Sequence, residues 1–232
     1  MAHPSALLSP EVGMISPRTR ARMVQRLQAE GIDDARVLAA MGRIPRHRFV
    51  AQALAGRAYE PVSLPIGYGQ TISQPWTVAR MTAAAVAAEP LQRVLEVGTG
   101  SAYQTAILAA LADEVYSIER IEPLLLRARE KLAQLGVGNV HLRHGDGAAG
   151  WAEAGPFDAM VITAAAPWSL PSLFAQLRPG GRLIMPVADG RGQRLRDLRW
   201  DGHTAHERDL GPCHFVPLLA GTVAVASGDH GW

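Results

Sequence analysis

Two kinds of segment, each with its own pattern of hydrophobic and polar positions, alternate along residues 93–187. Short runs of bulky apolar residues, bounded by glycine, proline or polar residues, predict strands that are buried on both faces. The stretches between them are longer and predict helices. The predicted strands are 93–97, 114–118, 140–143, 157–163 and 182–187, and the predicted helices are 103–112, 123–136 and a third that ends at residue 177.

This repeated alternation of strand and helix predicts an α/β fold built on a doubly wound, mostly parallel sheet. Beyond it, residues 191–209 carry Leu195, Leu198 and Trp200 at alternating positions. That spacing predicts a hairpin, which leads to a final strand near residues 214–218.

The N-terminal part has a different pattern. Residues 1–15 show no periodicity and are predicted to form a flexible leader. Ser16-Pro17 then predicts the start of a helix up to Gly31, and Asp33 or Asp34 caps a second helix through Met41. We expect one domain over residues 16–232, with a helical part at 16–90 and the α/β core at 91–232.

The most informative stretch is the strand at 93–97 and the turn that follows it, Gly98-Thr99-Gly100-Ser101-Ala102-Tyr103. Glycines at both positions allow the backbone to turn tightly and to approach a ligand, and the following helix begins with unpaired N–H groups. A ligand is therefore expected at the carboxyl end of this strand. A purely structural turn is the alternative that this motif alone leaves open.

Two ligand classes share this geometry. A dinucleotide site requires a third glycine where this chain has Tyr103, so NAD is disfavoured. A methyl donor such as S-adenosylmethionine has no phosphate and depends more on a carboxylate for its ribose. Glu119 ends the next predicted strand, about 20 residues downstream, where a ribose acceptor is expected. The two features together favour a nucleoside site.

Two further polar stretches are candidates for the same site. The segment 64–75 is rich in glycine, proline, amides and hydroxyls and precedes an apolar helix predicted at 75–88. Its Ser73 either caps that helix or faces a substrate pocket, and the two roles are compatible. Asp146, between Gly145 and Gly147, either accepts from an adenine amine or forms an Asx turn.

Composition excludes several classes of function. The net charge is +2, and the basic residues, all arginine except Lys131, are interleaved with acidic ones, so we expect no nucleic-acid partner. The chain has no apolar stretch of membrane-spanning length and one cysteine, Cys213, so we expect no membrane partner and a reducing cytoplasmic location. The eight histidines show no metal-ligand spacing, and His47, flanked by arginines, is predicted to be a surface or hinge residue.

From about residue 22 to residue 218 the chain resembles the protein-L-isoaspartate O-methyltransferase family. The Gly-x-Gly turn is shared by many methyltransferases, whereas the 70–73 loop is close to diagnostic. The motifs that carry the resemblance are Val37-Leu38, Ile44-Pro45-Arg46-His47, Leu64-Pro65-Ile66-Gly67, Gly69-Gln70-Thr71-Ile72-Ser73-Gln74-Pro75, Leu95-Glu96-Val97-Gly98-Thr99-Gly100-Ser101, Gly145-Asp146-Gly147, Pro156-Phe157-Asp158, Pro179-Gly180-Gly181 and Phe215-Val216-Pro217-Leu218.

The resemblance implies a seven-stranded sheet of the methyltransferase type and methyl transfer from S-adenosylmethionine to the free α-carboxylate of L-isoaspartyl residues in damaged proteins. The ester then collapses to a succinimide, which reopens partly to normal aspartate. An ionised carboxylate requires alignment rather than a strong base. The expected partners are isoaspartyl proteins and peptides, and the expected state is a monomer.

The resemblance also assigns roles to residues. Ser73 is expected to position the attacking carboxylate, beside the substrate-binding residues Gln70, Thr71 and Ile72. No metal is expected. The expected donor-binding residues are Glu96, Gly98, Thr99, Gly100, Ser101, Glu119, Asp146 and Gly147.

Two departures from the family pattern affect these expectations. Ala102 stands where the family usually has glycine, which is expected to tighten the methionine end of the donor pocket, and Trp168 replaces a smaller or acidic residue at the rim. Two other functions stay open on sequence grounds. One is a methyltransferase for a different acceptor, such as a small carboxylic acid or a nucleic acid, and the other is a non-enzymatic adaptor with a degraded donor site.

Overall fold

The structure is a computed structural model, and it describes residues 17–88, 90–166, 170–188 and 190–224. The predicted leader at 1–15, the predicted cap Ser16 and the rim residue Trp168 lie outside the described residues.

Helices and strands alternate through the middle of the chain as the sequence pattern predicts. Short 3₁₀ helices occupy Arg46–Phe49, Gln52–Arg57, Gly147–Ala149 and Ala152–Ala154. The helices are α1 (Pro17–Ala29), α2 (Ala35–Arg43), α3 (Pro75–Val86), α4 (Tyr103–Ala109), α5 (Glu122–Gln134) and α6 (Pro171–Phe174). The strands are β1 (Leu64–Gly67), β2 (Gln70–Ile72), β3 (Arg93–Val97), β4 (Glu114–Glu119), β5 (Val140–His144), β6 (Phe157–Ile162), β7 (Leu177–Ala188), β8 (Gln193–Trp200) and β9 (Ala205–Pro212).

Seven strands form one sheet in the order β5-β4-β3-β6-β7-β8-β9. The first five strands in that order pair in parallel, and β8 and β9 pair antiparallel at one edge. The predicted doubly wound, mostly parallel sheet and the predicted hairpin are therefore confirmed. Because the strand order reverses at β3, which neighbours both β4 and β6, the sheet has its topological switch point there.

The central strand β3 is buried on both faces. Val94 packs into an apolar cluster with α1, α2, α3 and α4, whereas Leu95 and Val97 pack into a second cluster on the opposite face, which includes Leu173 of α6. Side chains of successive strand residues point to opposite faces, so Glu96 lies on the same face as Val94. This placement puts an acidic side chain inside the core, beneath α4.

Four sequence predictions about local structure are corrected. Strand β7 begins at Leu177, not at residue 182, and pairs with β6 at Phe157, which leaves α6 only the short span Pro171–Phe174. Within the polar segment 64–75, which was expected to be a loop, residues 64–72 form a hairpin of β1 and β2. Residues 214–218 contain a single bridge, Ala165 to Pro217, in place of a strand.

The fourth correction concerns His47, which is 9% exposed and therefore not a surface residue. Its Nδ1 lies 2.7 Å from the hydroxyl oxygen of Tyr59. The arginines that flank it in sequence suggested exposure, but one of them, Arg46, is itself fully buried and donates from Nε to the carbonyl oxygen of Ala58.

Candidate active site

The glycine turn after β3 forms the floor of a pocket at the carboxyl edge of the sheet. Gly98 has φ +95° and Gly100 has φ +52°, values that favour glycine. A Cβ at Gly98 would lie 2.2 Å from Oγ1 of Thr163, so no larger residue fits there without displacement. The Thr163 hydroxyl donates to the carbonyl oxygens of Val97 and Gly98, which fixes the turn against the end of β6.

Glu119 connects the glycine turn to the neighbouring strand. Its Oε2 accepts from the Gly100 amide at 2.8 Å, and its Oε1 accepts from the Ile121 amide at 2.9 Å. The residue is 4% exposed and lines the pocket. The predicted ribose acceptor therefore also orders the backbone around the site.

The hairpin of residues 64–72 lies across the glycine turn. Ile66 lines the pocket, and its Cδ1 would be 3.3 Å from a Cβ at Gly100. At the tip of the hairpin, the guanidinium carbon of Arg127 on α5 lies 5.5 Å from the ring centre of Tyr68. The hairpin thus contacts both the turn and α5, and it brings residues 70–73 to the pocket wall.

Ser73 lies between β2 and α3 and lines the pocket. The N-cap residue of α3 is Gln74, with no side-chain capping bond, and Pro75 occupies the first turn. The capping role that the sequence leaves open for Ser73 is therefore not the one seen here. Its hydroxyl is available to a ligand in the pocket.

A C-terminal strap, residues 213–223, closes the opposite side of the pocket. Leu218 donates its amide to the Ala165 carbonyl oxygen at 2.7 Å, and Ala165 donates its amide to the carbonyl oxygen of Val216. Nearer the end of the strap, Val223 pairs with Ile121 in parallel. The strap therefore spans the carboxyl ends of β4 and β6, at the switch point of the sheet.

Asp146 and Gly147 follow β5 at the same edge. The Asp146 carboxylate accepts from the Ala148 amide at 2.9 Å and from the Gly221 amide of the strap at 2.7 Å. Gly147 lines the pocket, and a Cβ there would lie 2.1 Å from Val97. The Asx bond that the sequence leaves open is present, and the same side chain also holds the strap.

Glu96 occupies a different position from the other predicted site residues. It is fully buried, and its Oε2 accepts from the hydroxyls of Thr105 at 2.5 Å and Ser117 at 2.6 Å. Burial raises the pKa of its carboxyl to about 8, the charge of Glu119 adds to the rise, and the two hydroxyl donors oppose it. Its side chain lies behind the turn instead of on the pocket wall.

The pocket encloses about 890 Å³ of space, with the open solvent at its mouth included. Of the predicted site residues, all but Glu96 and Asp146 line it. Sequence reasoning missed several lining residues, which come from α3, α4, the strap and the positions directly after β4 and β6. The predicted residues in the wall are Gln70, Thr71, Ile72, Ser73, Gly98, Thr99, Gly100, Ser101, Glu119 and Gly147, and the missed ones include Val78, Met81, Gln104, Arg120, Thr163, Val216, Pro217, Leu218 and Leu219.

Ala102, which stands where the family usually has glycine, has an unusual backbone conformation. It has φ +69° and ψ 14°, a left-handed conformation that is costly for a residue with a Cβ, and it is fully buried at the N-cap of α4. A glycine is therefore the unstrained residue here. Ala102 is not among the residues that line the pocket, so the expected tightening of the donor site is not evident in the pocket wall.

Membrane-spanning helices and clustered metal ligands are both absent from the described residues. None of the helices in these ranges has the length and apolar character needed to cross a bilayer. Within the same ranges, no three or more histidine, cysteine, aspartate or glutamate side chains are grouped as metal ligands.

The fold and the pocket together define the class of the protein as an α/β methyltransferase domain. Solved structures support the class. The chain superposes with a TM-score of 0.76 on a Plasmodium falciparum protein described as a protein-L-isoaspartate O-methyltransferase, in complex with S-adenosyl-L-homocysteine, at 24% identity over 86% of this chain and 98% of that one. A second structure of a protein-L-isoaspartate O-methyltransferase gives a TM-score of 0.76 at 26% identity, over 85% of this chain and 65% of that one.

Sequence comparisons identify the family. The sequence model of the protein-L-isoaspartate(D-aspartate) O-methyltransferase family matches residues 18–223 of this chain. Protein-L-isoaspartate O-methyltransferase 1 of Marinobacter nauticus is 54% identical over 91% of this chain and 96% of its own length. The protein-L-isoaspartate O-methyltransferase of Stenotrophomonas maltophilia is 53% identical over 94% of this chain and 98% of its own. The chain belongs to the protein-L-isoaspartate(D-aspartate) O-methyltransferase family.

Proposed function

We propose that this protein methylates the free α-carboxylate of L-isoaspartyl residues in damaged proteins, with S-adenosylmethionine as the methyl donor. One observation carries the proposal. The segment 70–73 and the glycine turn 98–101, predicted to serve the acceptor and the donor, form walls of the same pocket. Transfer between two bound molecules requires this kind of shared site, in which the reacting atoms are held together and water is excluded.

The donor side of the pocket fits S-adenosylmethionine. The glycine turn leaves no Cβ at Gly98 between backbone and ligand, and the Glu119 carboxylate lies in the wall where a ribose diol would be held. Ile118, Ile121 and Leu218 provide apolar surface for an adenine ring. When bound, S-adenosylmethionine supplies an electrophilic methyl group on a sulfonium centre.

The acceptor side is assigned to residues 70–73. The hydroxyl of Ser73 is the group we expect to hold the acceptor carboxylate in line with the methyl group. Because that carboxylate is ionised at neutral pH, this chain needs no general base at the reacting oxygen. The hairpin and the strap line two sides of the pocket. We propose that they limit the access of water to the reacting atoms once both substrates are bound.

We propose that isoaspartyl proteins and peptides are the partners, that no nucleic acid is bound, and that the protein acts as a monomer in the cytoplasm. The interleaved charges support the second point, since the chain carries 23 basic and 21 acidic residues.

The test compares two peptides that differ only in an isoaspartyl or a normal aspartyl linkage. The purified protein is incubated with each peptide and methyl-labelled S-adenosylmethionine, and base-labile methyl ester is counted. We expect label on the isoaspartyl peptide alone. Label on neither peptide, with S-adenosylhomocysteine still bound, would overturn the proposed acceptor, and failure to bind the donor product would favour an adaptor function.

A further inference from the structure

A buried chain of side-chain hydrogen bonds connects Glu96 to the donor pocket. The Ser117 hydroxyl donates to Glu96 Oε2 at 2.6 Å, and the hydroxyl oxygens of Ser117 and Thr99 are 2.6 Å apart. Because the single Ser117 proton points at Glu96, Thr99 must be the donor to Ser117. Thr99 is 3% exposed and lines the pocket, whereas Glu96 and Ser117 are fully buried.

The same Glu96 oxygen accepts a second hydrogen bond that leads away from the pocket. Thr105 on α4 donates its hydroxyl to Oε2 at 2.5 Å. The other carboxyl oxygen, Oε1, is buried without a partner in the described part of the chain. Glu96 forms no ion pair with another residue in the described part of the chain. A buried carboxyl in this situation favours its neutral form.

We infer that Glu96 is a positioning residue that acts on the donor site through Ser117 and Thr99, and not by contact with the donor. The chain of three side chains holds the Thr99 hydroxyl inward. The Thr99 carbonyl oxygen in turn accepts from the Ala102 amide at 2.8 Å, which closes the turn that leads into α4. Glu96 is thereby connected, through Ser117 and Thr99, to the first residue of this turn in the pocket floor.

A positioning role for Glu96 differs from the role of an ionic ligand of the donor. The inference rests on the donor site proposed above. An ionic partner must be charged and must reach the pocket, whereas Glu96 is shielded by the turn itself. A positioning acceptor needs only an oxygen lone pair at the place of Oε2. Glutamine supplies that oxygen but cannot ionise, so Glu96→Gln separates the two roles.

The experiment measures the dissociation constant of S-adenosylhomocysteine by calorimetry, with the thermal midpoint of each variant as a fold control. We expect Glu96→Gln to raise this dissociation constant by less than about threefold. Ser117→Ala should raise it by about tenfold, because that variant loses one buried hydrogen bond. The matched control is Thr105→Val, which removes the other donor to the same oxygen and leaves the path to Thr99 intact. Its constant should stay within about twofold of that of the wild-type protein.

A second variant keeps the test decisive if Ser117→Ala does not fold. Thr99→Val breaks the same path from the pocket end and should raise the constant by about tenfold. Where Ser117→Ala does fold, adding Thr99→Val to it should not raise the dissociation constant further, because both changes remove the same path.

Two results would overturn the inference. A loss of more than about tenfold in Glu96→Gln, with Ser117→Ala unchanged, would make Glu96 a direct ionic ligand. Equal losses in Thr105→Val and Ser117→Ala, with parallel drops in thermal midpoint, would leave Glu96 a core residue without a role in the site. A folded wild-type protein that binds no S-adenosylhomocysteine would overturn the proposed function as well, and this outcome differs from the first two because the wild type itself fails.

Discussion

Glu119 and Gly100 are joined by a hydrogen bond of 2.8 Å from the Gly100 amide to the carboxylate, which ties the end of β4 to the turn that follows β3. Nineteen positions separate the two residues in the chain. The bond means that the carboxylate expected to hold a ribose also sets the shape of the surface on which the donor would lie. Loss of Glu119 should therefore remove a ligand group and loosen the turn together.

For Glu119→Ala we expect the dissociation constant of S-adenosylhomocysteine to rise at least about tenfold, since hydrogen bonds to a charged group contribute about 1.5 to 3 kcal/mol. Calorimetric titration measures the change. The matched control is Glu114→Ala on the same strand, because Glu114 does not line the pocket and is half-exposed. Its ion pairs with Arg93 and His141 and its hydrogen bond from the Tyr116 hydroxyl contribute little to stability at such a site. An unchanged constant in Glu119→Ala would place the ribose elsewhere.

Ser73→Ala should separate catalysis from donor binding. We expect kcat for an isoaspartyl peptide to fall by at least about tenfold, because one positioning hydrogen bond is lost. The dissociation constant of S-adenosylhomocysteine should hardly change. The thermal midpoint should hardly change either, since Gln74 and not Ser73 occupies the cap position of α3. Ser63→Ala, an exposed serine just before the hairpin, is the control. Equal losses of turnover, affinity and stability would show that Ser73 is structural.

Gly98→Ala tests the close approach at the pocket floor. The new Cβ would meet Thr163 Oγ1 at 2.2 Å at a φ of +95°, so we expect lost donor binding and a fall of about 2 kcal/mol or more in the free energy of unfolding. Gly138→Ala is the control, because nothing lies within 4 Å of a Cβ at that position. Chemical denaturation of both variants measures the difference, and similar behaviour of the two would contradict the clash.

Ala102→Gly should cost far less stability than a comparable change one turn later. At Ala102 the loss of a buried methyl group, about 0.8 kcal/mol, is offset by relief of a left-handed conformation that costs about 1 to 2 kcal/mol. Ala106, buried within α4, has no strain to release, so Ala106→Gly should cost about 2 kcal/mol. The comparison uses denaturation midpoints, and equal costs would show that Ala102 is unstrained.

The buried Glu96 carboxyl predicts a pH-dependent stability. Burial raises its pKa from an ordinary 4.5 to about 8, with Glu119 as the neighbouring charge that adds to the rise. The folded state therefore keeps a proton that the unfolded chain releases, and this contribution to the free energy of unfolding falls as pH rises from about 4.5 to about 8. Glu96→Gln lacks the titration, so its stability relative to the wild type should increase between pH 5.5 and 8.5 in denaturation experiments. A constant difference would mean that Glu96 titrates normally.

Local sequence patterns predicted most of the core. The strand at 93–97 has the predicted bounds, and the cap Asp34 accepts from the Arg36 and Val37 amides as expected of a helix start. These features depend on neighbours in the chain, namely apolar runs, glycines and a capping carboxylate, which is why they can be read from sequence.

The rest of the site depends on distant contacts. The strap reaches Asp146 from 75 positions away, through the Gly221 amide, and no pattern within residues 213–223 indicates that partner. The environment of Glu96 likewise depends on contacts that no local sequence pattern indicates. Alternation along β3 places it opposite Leu95 and Val97, but only the packing of α4 over that face reveals that it is fully buried. A motif position thus suggested a ligand contact at a side chain that the fold buries away from the pocket wall.

The most direct test of the account follows the isoaspartyl peptide itself over time. The protein is mixed with S-adenosylmethionine and the peptide, and chromatography separates the isoaspartyl, succinimide and aspartyl forms. We predict that the isoaspartyl form declines while succinimide and then normal aspartyl peptide appear, only when the donor is present. An isoaspartyl peptide that stays unchanged, in a sample that binds S-adenosylhomocysteine, would contradict the proposed repair function.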